Sequence, residues 1–174
     1  MAQTRYGYST PRGIPGGFVD LSDYVVDARC NEAESGKIKY GLGVVTGSNP
    51  GNNIDLPSSA SKAADFEGIA FSKRSHEMNM NGSVEIGKNE TVGVLRRGRV
   101  YVRVKDGVQP EYGQTLCLIT DGDNAGYFTV EDDTEATSKF AVNARYLGAA
   151  ANGIAPADIF GAAAETTNKE VTNE

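Results

Sequence analysis

Val100, Val102 and Val104 alternate with Arg99, Tyr101, Arg103 and Lys105, the period-two spacing of a strand with one face buried and the other in water. Asp106-Gly107 follows as a turn, and Gly113 marks another before the apolar run Leu116-Cys117-Leu118-Ile119. Residues 91–120 therefore predict a meander of at least three strands. Alternation returns over 139–146, with Phe140, Val142, Ala144 and Tyr146 on one side. Ile69 and Phe71 share a face of a strand that follows Glu67-Gly68. Other strands are expected over 24–28, over 37–46, at 84–86 and at 127–130, with an apolar segment over 154–161. The one candidate helix spans 58–66, two turns at most, with Ser58 or Ser59 as its N-cap. Short strands between Gly-rich turns predict an all-β fold, a small antiparallel β-barrel or β-sandwich with at most short helices.

The two ends read differently. Residues 1–20 hold Gly7, Pro11, Gly13, Pro15, Gly16 and Gly17 among Tyr6, Tyr8, Ile14 and Phe18. Proline lacks a backbone donor and glycine loses the most entropy on ordering, so no helix forms here. Two readings stand: a frayed terminus, or an extended N-terminal arm that orders on another subunit with Tyr6, Tyr8 and Phe18 as anchors. Residues 21–161 make a single β domain, and 162–174 carry no core-forming pattern and read as a polar tail.

Composition narrows the partners. The chain has 174 residues, enough for one domain with a real core, and its 21 glycines assign much of it to turns and ends. A net charge of −6 argues against general nucleic-acid binding, which needs a basic field over the whole footprint. Against that background Arg96, Arg97, Arg99, Arg103 and Lys105 stand out as a local cationic face. Neither a secretory leader nor an apolar run of about 20 residues is present, so no membrane partner is expected, and the chain is expected to be soluble and intracellular at synthesis.

Candidate chemistry is sparse. His76 is the only histidine and lacks neighbours at ligand or catalytic spacing. Cys30 and Cys117 are far apart and fit no zinc pattern, and a disulfide between them is disfavoured. Gly41, Gly43 and Gly47 are flanked by strand-like sequence, not by the helix that a dinucleotide loop opens. Asp121, Asp123, Gly126 and Asp132 follow part of a calcium-loop spacing, but Ala125 breaks it, and a hairpin turn explains the same residues. No catalytic residue, cofactor or metal ligand is expected.

YSTPRGIPGGFVDLSDYVVDARCNEAESGKIKYGLGVVTG, ADFEGIAF, VGVLRRGRVYVRV, EYGQTLCLITDGDNAGYFT and ARYLGAAANG together resemble the capsid cement, or decoration, proteins of tailed bacteriophages. The likeness runs from about Tyr6 to Gly161. It implies a non-enzymatic β domain, soluble in the host cytoplasm before assembly, that oligomerises on the outer surface of the virion and binds the major capsid protein lattice. A homotrimer is favoured by analogy, with a homodimer as the alternative. On this reading Tyr6, Tyr8, Arg12, Ile14 and Phe18 form part of the capsid-facing contact. Arg97, Arg99 and Arg103 meet an acidic surface of the capsid or of a neighbouring copy, or else form a solvated strand face. The competing reading is a head-fibre base or a carbohydrate-binding β module for host attachment; the absence of Trp weighs against it.

Overall fold

The structure, a computed structural model, describes residues 13–72, 86–136 and 138–161. Nine strands order themselves in the chain as β1 (Val25–Asn31), β2 (Gly43–Thr46), β3 (Asn53–Asp55), β4 (Phe66–Phe71), β5 (Thr91–Arg103), β6 (Thr115–Ile119), β7 (Phe128–Thr129), β8 (Lys139–Tyr146) and β9 (Ile154–Ile159). The fold is all-β, as expected, with only two short 3₁₀ turns beside the strands among the described residues.

Two rings of strands share β5. The first runs β1-β3-β2-β4-β5 and closes as a five-stranded barrel because β1 also pairs with the first half of β5, Val26 opposite Leu95 and Arg29 opposite Val92. The second continues β5-β9-β8-β6-β7 and returns to the end of β5 through one parallel bridge between Val104 and Phe128. Gly98 marks the crossover. Before it, β5 pairs with β1 and β4; from it onward β5 pairs with β9, Gly98 opposite Ile159. Its φ of +124° suits glycine alone, and a Cβ there would lie 2.9 Å from that of Tyr24.

The core follows the rings. Val100, Val102 and Val104 point inward as their alternation predicts and pack with Leu116, Leu118, Phe128, Val142 and Tyr146. Tyr146 is fully buried, and its hydroxyl donates to the carbonyl of Thr129 at 3.1 Å, which satisfies the one polar atom its ring carries inside. A smaller cluster gathers Ile38, Val44, Ile54, Ala70, Ile86, Val92 and Val94. β4 and the first half of β5 serve both clusters: Ile69 and Leu95 face one, Ala70 and Val94 the other.

Several expectations need correction. No meander joins β5 to β6: β6 pairs with β7 and β8, and β9, remote in sequence, lies beside β5. Alternation marks a strand but carries no information about its partner. Over 37–46 only Gly43–Thr46 is strand; Gly41, at φ +85°, turns the chain just before it. The helix expected over 58–66 is a single 3₁₀ turn, Ala63–Asp65, entered at Lys62 and not at a serine; the Asp65 carboxylate accepts from the Lys62 N–H at 2.8 Å. So short a segment lacks a packed apolar face to offset the cost of nucleation. Positions 84–85 of the strand expected at 84–86 lie outside the described residues.

Candidate assembly surface

The described end of the arm, residues 13–20, is built onto its own body. Gly16 donates to the Tyr101 carbonyl at 2.8 Å, Tyr101 donates back to Gly17 at 2.9 Å, and Val19 donates to Arg99 at 3.0 Å. From the other side the Ser72 N–H donates to Gly16 at 2.9 Å. The segment therefore lies along the second half of β5, on the edge away from β9, and bridges to the end of β4. Gly13 sits against the Tyr101 ring so closely that a Cβ would overlap it. The exit of the preceding chain is thus tied to one point on the surface.

Phe18 turns toward its own chain. It is half-buried, bridges Val100, and packs against Tyr24 and Phe71 with ring centroids 4.6 Å away in both cases. Ile14, in the turn that Gly17 closes by donating to its carbonyl, is 61% exposed. Tyr6, Tyr8 and Arg12 lie outside the described residues, as does His76.

Each cation of the β5 stretch has a partner within the chain. Arg97 meets Asp23 at 3.2 Å, both side chains more than half exposed. Arg99 donates to Asp20 at 2.7 Å and lies 3.7 Å from Asp158. The Arg103 Nε donates to the Tyr40 carbonyl at 2.8 Å, Arg96 meets Asp27 at 3.3 Å, and Lys105 meets Asp133 at 3.0 Å. Hydrogen bonding from Ser22 and then from Arg99 holds the Asp20 carboxyl down at about 2, so it is ionised at neutral pH. The sequence pattern exposes the arginines but hides their acids, because Asp20 arrives from the arm, Asp23 from the link between the arm and β1, and Asp158 from β9.

Arg145 on β8 completes the surface. It lies 3.5 Å from Asp158, and its guanidinium stands 5.3 Å from the ring of Phe160, which is 46% exposed. Together with Leu21, Tyr24 and Val25, Phe160 makes up most of the large apolar side chains that the described residues expose. Neither Arg145 nor Phe160 belongs to the expected contact set; the outward phase of β8 and β9 is the signal that singles them out.

Asp121 caps the short turn Gly122–Asn124 through the Gly122 N–H, and no group of three His, Cys, Asp or Glu able to hold a metal occurs among the described residues. Cys30 and Cys117 are free thiols; burial pushes that of Cys117 up.

A family model described as "Structural cement protein (E217 gp24/Pam3 gp6)" matches residues 2–159. No curated protein sequence matches the chain. Among solved structures, the chain is similar to one from "The capsid of Myoviridae Phage XM1", with a TM-score of 0.69 at 19% identity over 93% of this chain and 99% of that one. At that identity the likeness concerns the fold.

Proposed function

The chain belongs to the structural cement protein family and is a non-enzymatic structural component of a phage capsid, and on that premise we propose that it binds the outside of the major capsid protein lattice and reinforces the head. The observation that carries the reading is the docking of residues 13–19 along β5. Entropy already lost there need not be lost again when the twelve residues ahead of Gly13 engage a neighbour. Most described strands have a partner on both sides, although residues 25–29 of β1 pair with β5 alone, and adhesion to a lattice is assigned here to side chains, loops and the arm. In this reading Tyr6, Tyr8 and Arg12, with Ile14, contact the capsid, and Phe18 fixes where they start. Arg97 is the β5 cation most open to an outside acid, while Arg99 and Arg103 hold the arm and the Tyr40 turn in place. Contacts to several subunits at once raise avidity without strengthening any one of them.

Purified shells lacking the protein test this directly. The full chain should co-sediment with them, and a chain lacking residues 1–12 should remain folded and bind at least tenfold more weakly, the loss expected when one of two linked contacts is removed. Equal binding by the shortened chain would remove the arm from the contact, and no binding by either would overturn the lattice reading.

A further inference from the structure

Where the two rings of strands meet, the chain frames a hollow of about 290 Å³ lined by Lys37, Lys39, Leu42, Leu56, Asp123 and Tyr127. Backbone hydrogen bonds fix both of its rims. On the first ring Gly36 donates to the Ile86 carbonyl at 3.0 Å and Leu42 to that of Lys39 at 3.2 Å. On the second, Gly126 donates to Ile119 and Tyr127 to Asn124, both at 2.9 Å. Across the joint, Gly43 at the start of β2 donates to Gly126 at 2.8 Å. A side chain at Gly126 would strike the floor, since a Cβ there falls 3.1 Å from the Gly43 carbonyl and from Leu56. The shape is therefore set before any ligand arrives, which removes one cost of binding.

Charge selects the occupant. Lys37 and Lys39 are both exposed, and among the described residues neither forms an ion pair, in contrast to Arg97, Arg99 and Lys105. Two ammonium groups against the one carboxylate of Asp123 leave the lining with a surplus positive charge, in a chain whose total is −6. That surplus matches a carboxylate, which carries one negative charge. A phosphate monoester, at about −1.5 to −2 near neutral pH, would exceed it and press against Asp123. Leu42, Leu56 and Tyr127 bring apolar surface to the same space, where methylene groups gain by leaving water and a bare ion does not. Lysine donates from a compact charge with rotatable protons, so it takes a carboxylate without the fixed fork that arginine presents.

We propose that this hollow is a binding site for a carboxylate on a short apolar stem, the chemistry of a glutamate side chain or of a small free acid. Lys37 and Lys39 hold the carboxylate, and Leu42, Leu56 and Tyr127 receive the stem. The proposal goes beyond the lattice reading: a shell is one source of such a side chain, and the site is complete without it.

Titration of the full chain with N-acetyl-glutamate N-methylamide, followed by amide NMR shifts and with no shells present, tests the site itself. The N–H signals of Lys37, Lys39 and Tyr127 should move and saturate in the millimolar range, while the matching glutamine amide should leave them in place. Lys37→Gln together with Lys39→Gln should raise the dissociation constant about tenfold or more. Sodium chloride at about 0.5 M should weaken binding to the unaltered chain several-fold, a second measurement that needs no variant. The proposal is overturned by the absence of a saturable shift, by equal shifts with the glutamine amide, or by a folded double variant with the wild-type constant. Inorganic phosphate bound more tightly than the glutamate at the same amides would overturn the choice of a carboxylate. Co-sedimentation of the double variant with undecorated shells then identifies the source: weaker binding than wild type assigns the acid to the shell, and equal binding assigns it to a free acid. A wild-type chain that fails to bind shells defeats the lattice reading alone, since the titration contains none.

Discussion

Lys105, two residues past the end of β5, holds Asp133 in the loop before β8, Nζ to Oδ2 at 3.0 Å, with only 8% of the Asp133 side chain exposed. Burial alone would raise the carboxyl, but hydrogen bonds from Thr129 and Lys105 outweigh it and bring Asp133 down to about 2. A carboxyl with a lowered folded-state pKa contributes stability that is complete above its unfolded value, near 3.8, and disappears as pH falls toward 2. The amount is about 2 kcal/mol. Asp20 titrates in the same window but is far more exposed, so solvent screens its share. Asp133→Asn should lower the thermal midpoint at neutral pH and flatten its fall between pH 4 and 2. Calorimetric curves for the variant and the wild type that run parallel through that window would contradict this assignment.

The same loop is gripped from below by Lys139. Its ammonium donates to three carbonyls, those of Val130 at 3.1 Å, Glu131 at 2.6 Å and Asp133 at 2.5 Å. Three donors on one compact charge match this cradle, whereas the flat fork of an arginine does not. Lys139→Met keeps the aliphatic stem and should cost about 2 kcal/mol, in the range for hydrogen bonds to a charged group. Lys139→Arg should recover less than half of it. Urea midpoints of the two variants measure both, and a Met variant as stable as the wild type would show that the loop holds without its cation.

How much of this was legible beforehand depended on where each strand's faces point. β8 is legible to the residue, because Val142, Ala144 and Tyr146 are buried while Ala141 and Asn143 face water. The second half of β5 was equally plain. Its first half was not, since Val92, Gly93, Val94 and Leu95 are buried in succession and the two-residue period vanishes when both faces are covered. Pairing was illegible for a different reason: Arg99 reads as a solvated cation until Asp20 and Asp158 are brought to it by chain remote in sequence. Residues 13–19 read as a frayed end or as an arm that orders on another subunit, and not as a segment bound to its own body, because that attachment runs through backbone groups, which proline and glycine content does not reveal.

Gly16 tests that attachment. Its φ of +73° disfavours any side chain, and a Cβ would come within 2.7 Å of the Ala70 carbonyl and 2.9 Å of the Gly41 nitrogen, both backbone atoms. Gly16→Ala should therefore free residues 13–19 at a cost of about 1–3 kcal/mol. Gly51, at φ +80° with open space around it, serves as the control for the backbone angle alone, and alanine there should cost about 1 kcal/mol or less. Amide exchange gives the local readout: the N–H groups of Tyr101 and Ser72 donate to Gly17 and Gly16, so both should exchange faster in the Gly16 variant and at the wild-type rate in the control. Unchanged protection in the Gly16 variant would mean that the arm is held by its side chains.

Arg97 separates contact from stability. Its pair with Asp23 joins two side chains that are 57% and 76% exposed, an arrangement that contributes between nothing and about 1 kcal/mol. Arg99 is tied to the arm and to β9, so its reversal would disturb the fold as well as the surface. Arg97→Glu should therefore leave the thermal midpoint within about 2 °C of the wild type, consistent with a few tenths of a kcal/mol. If Arg97 meets an acidic surface on the shell, the same variant should bind undecorated shells several-fold more weakly, and its binding should fall less steeply as salt is added, because one screened attraction has been removed. Wild-type affinity with wild-type salt dependence would leave Arg97 as a solvated side chain and confine the lattice contact to the arm.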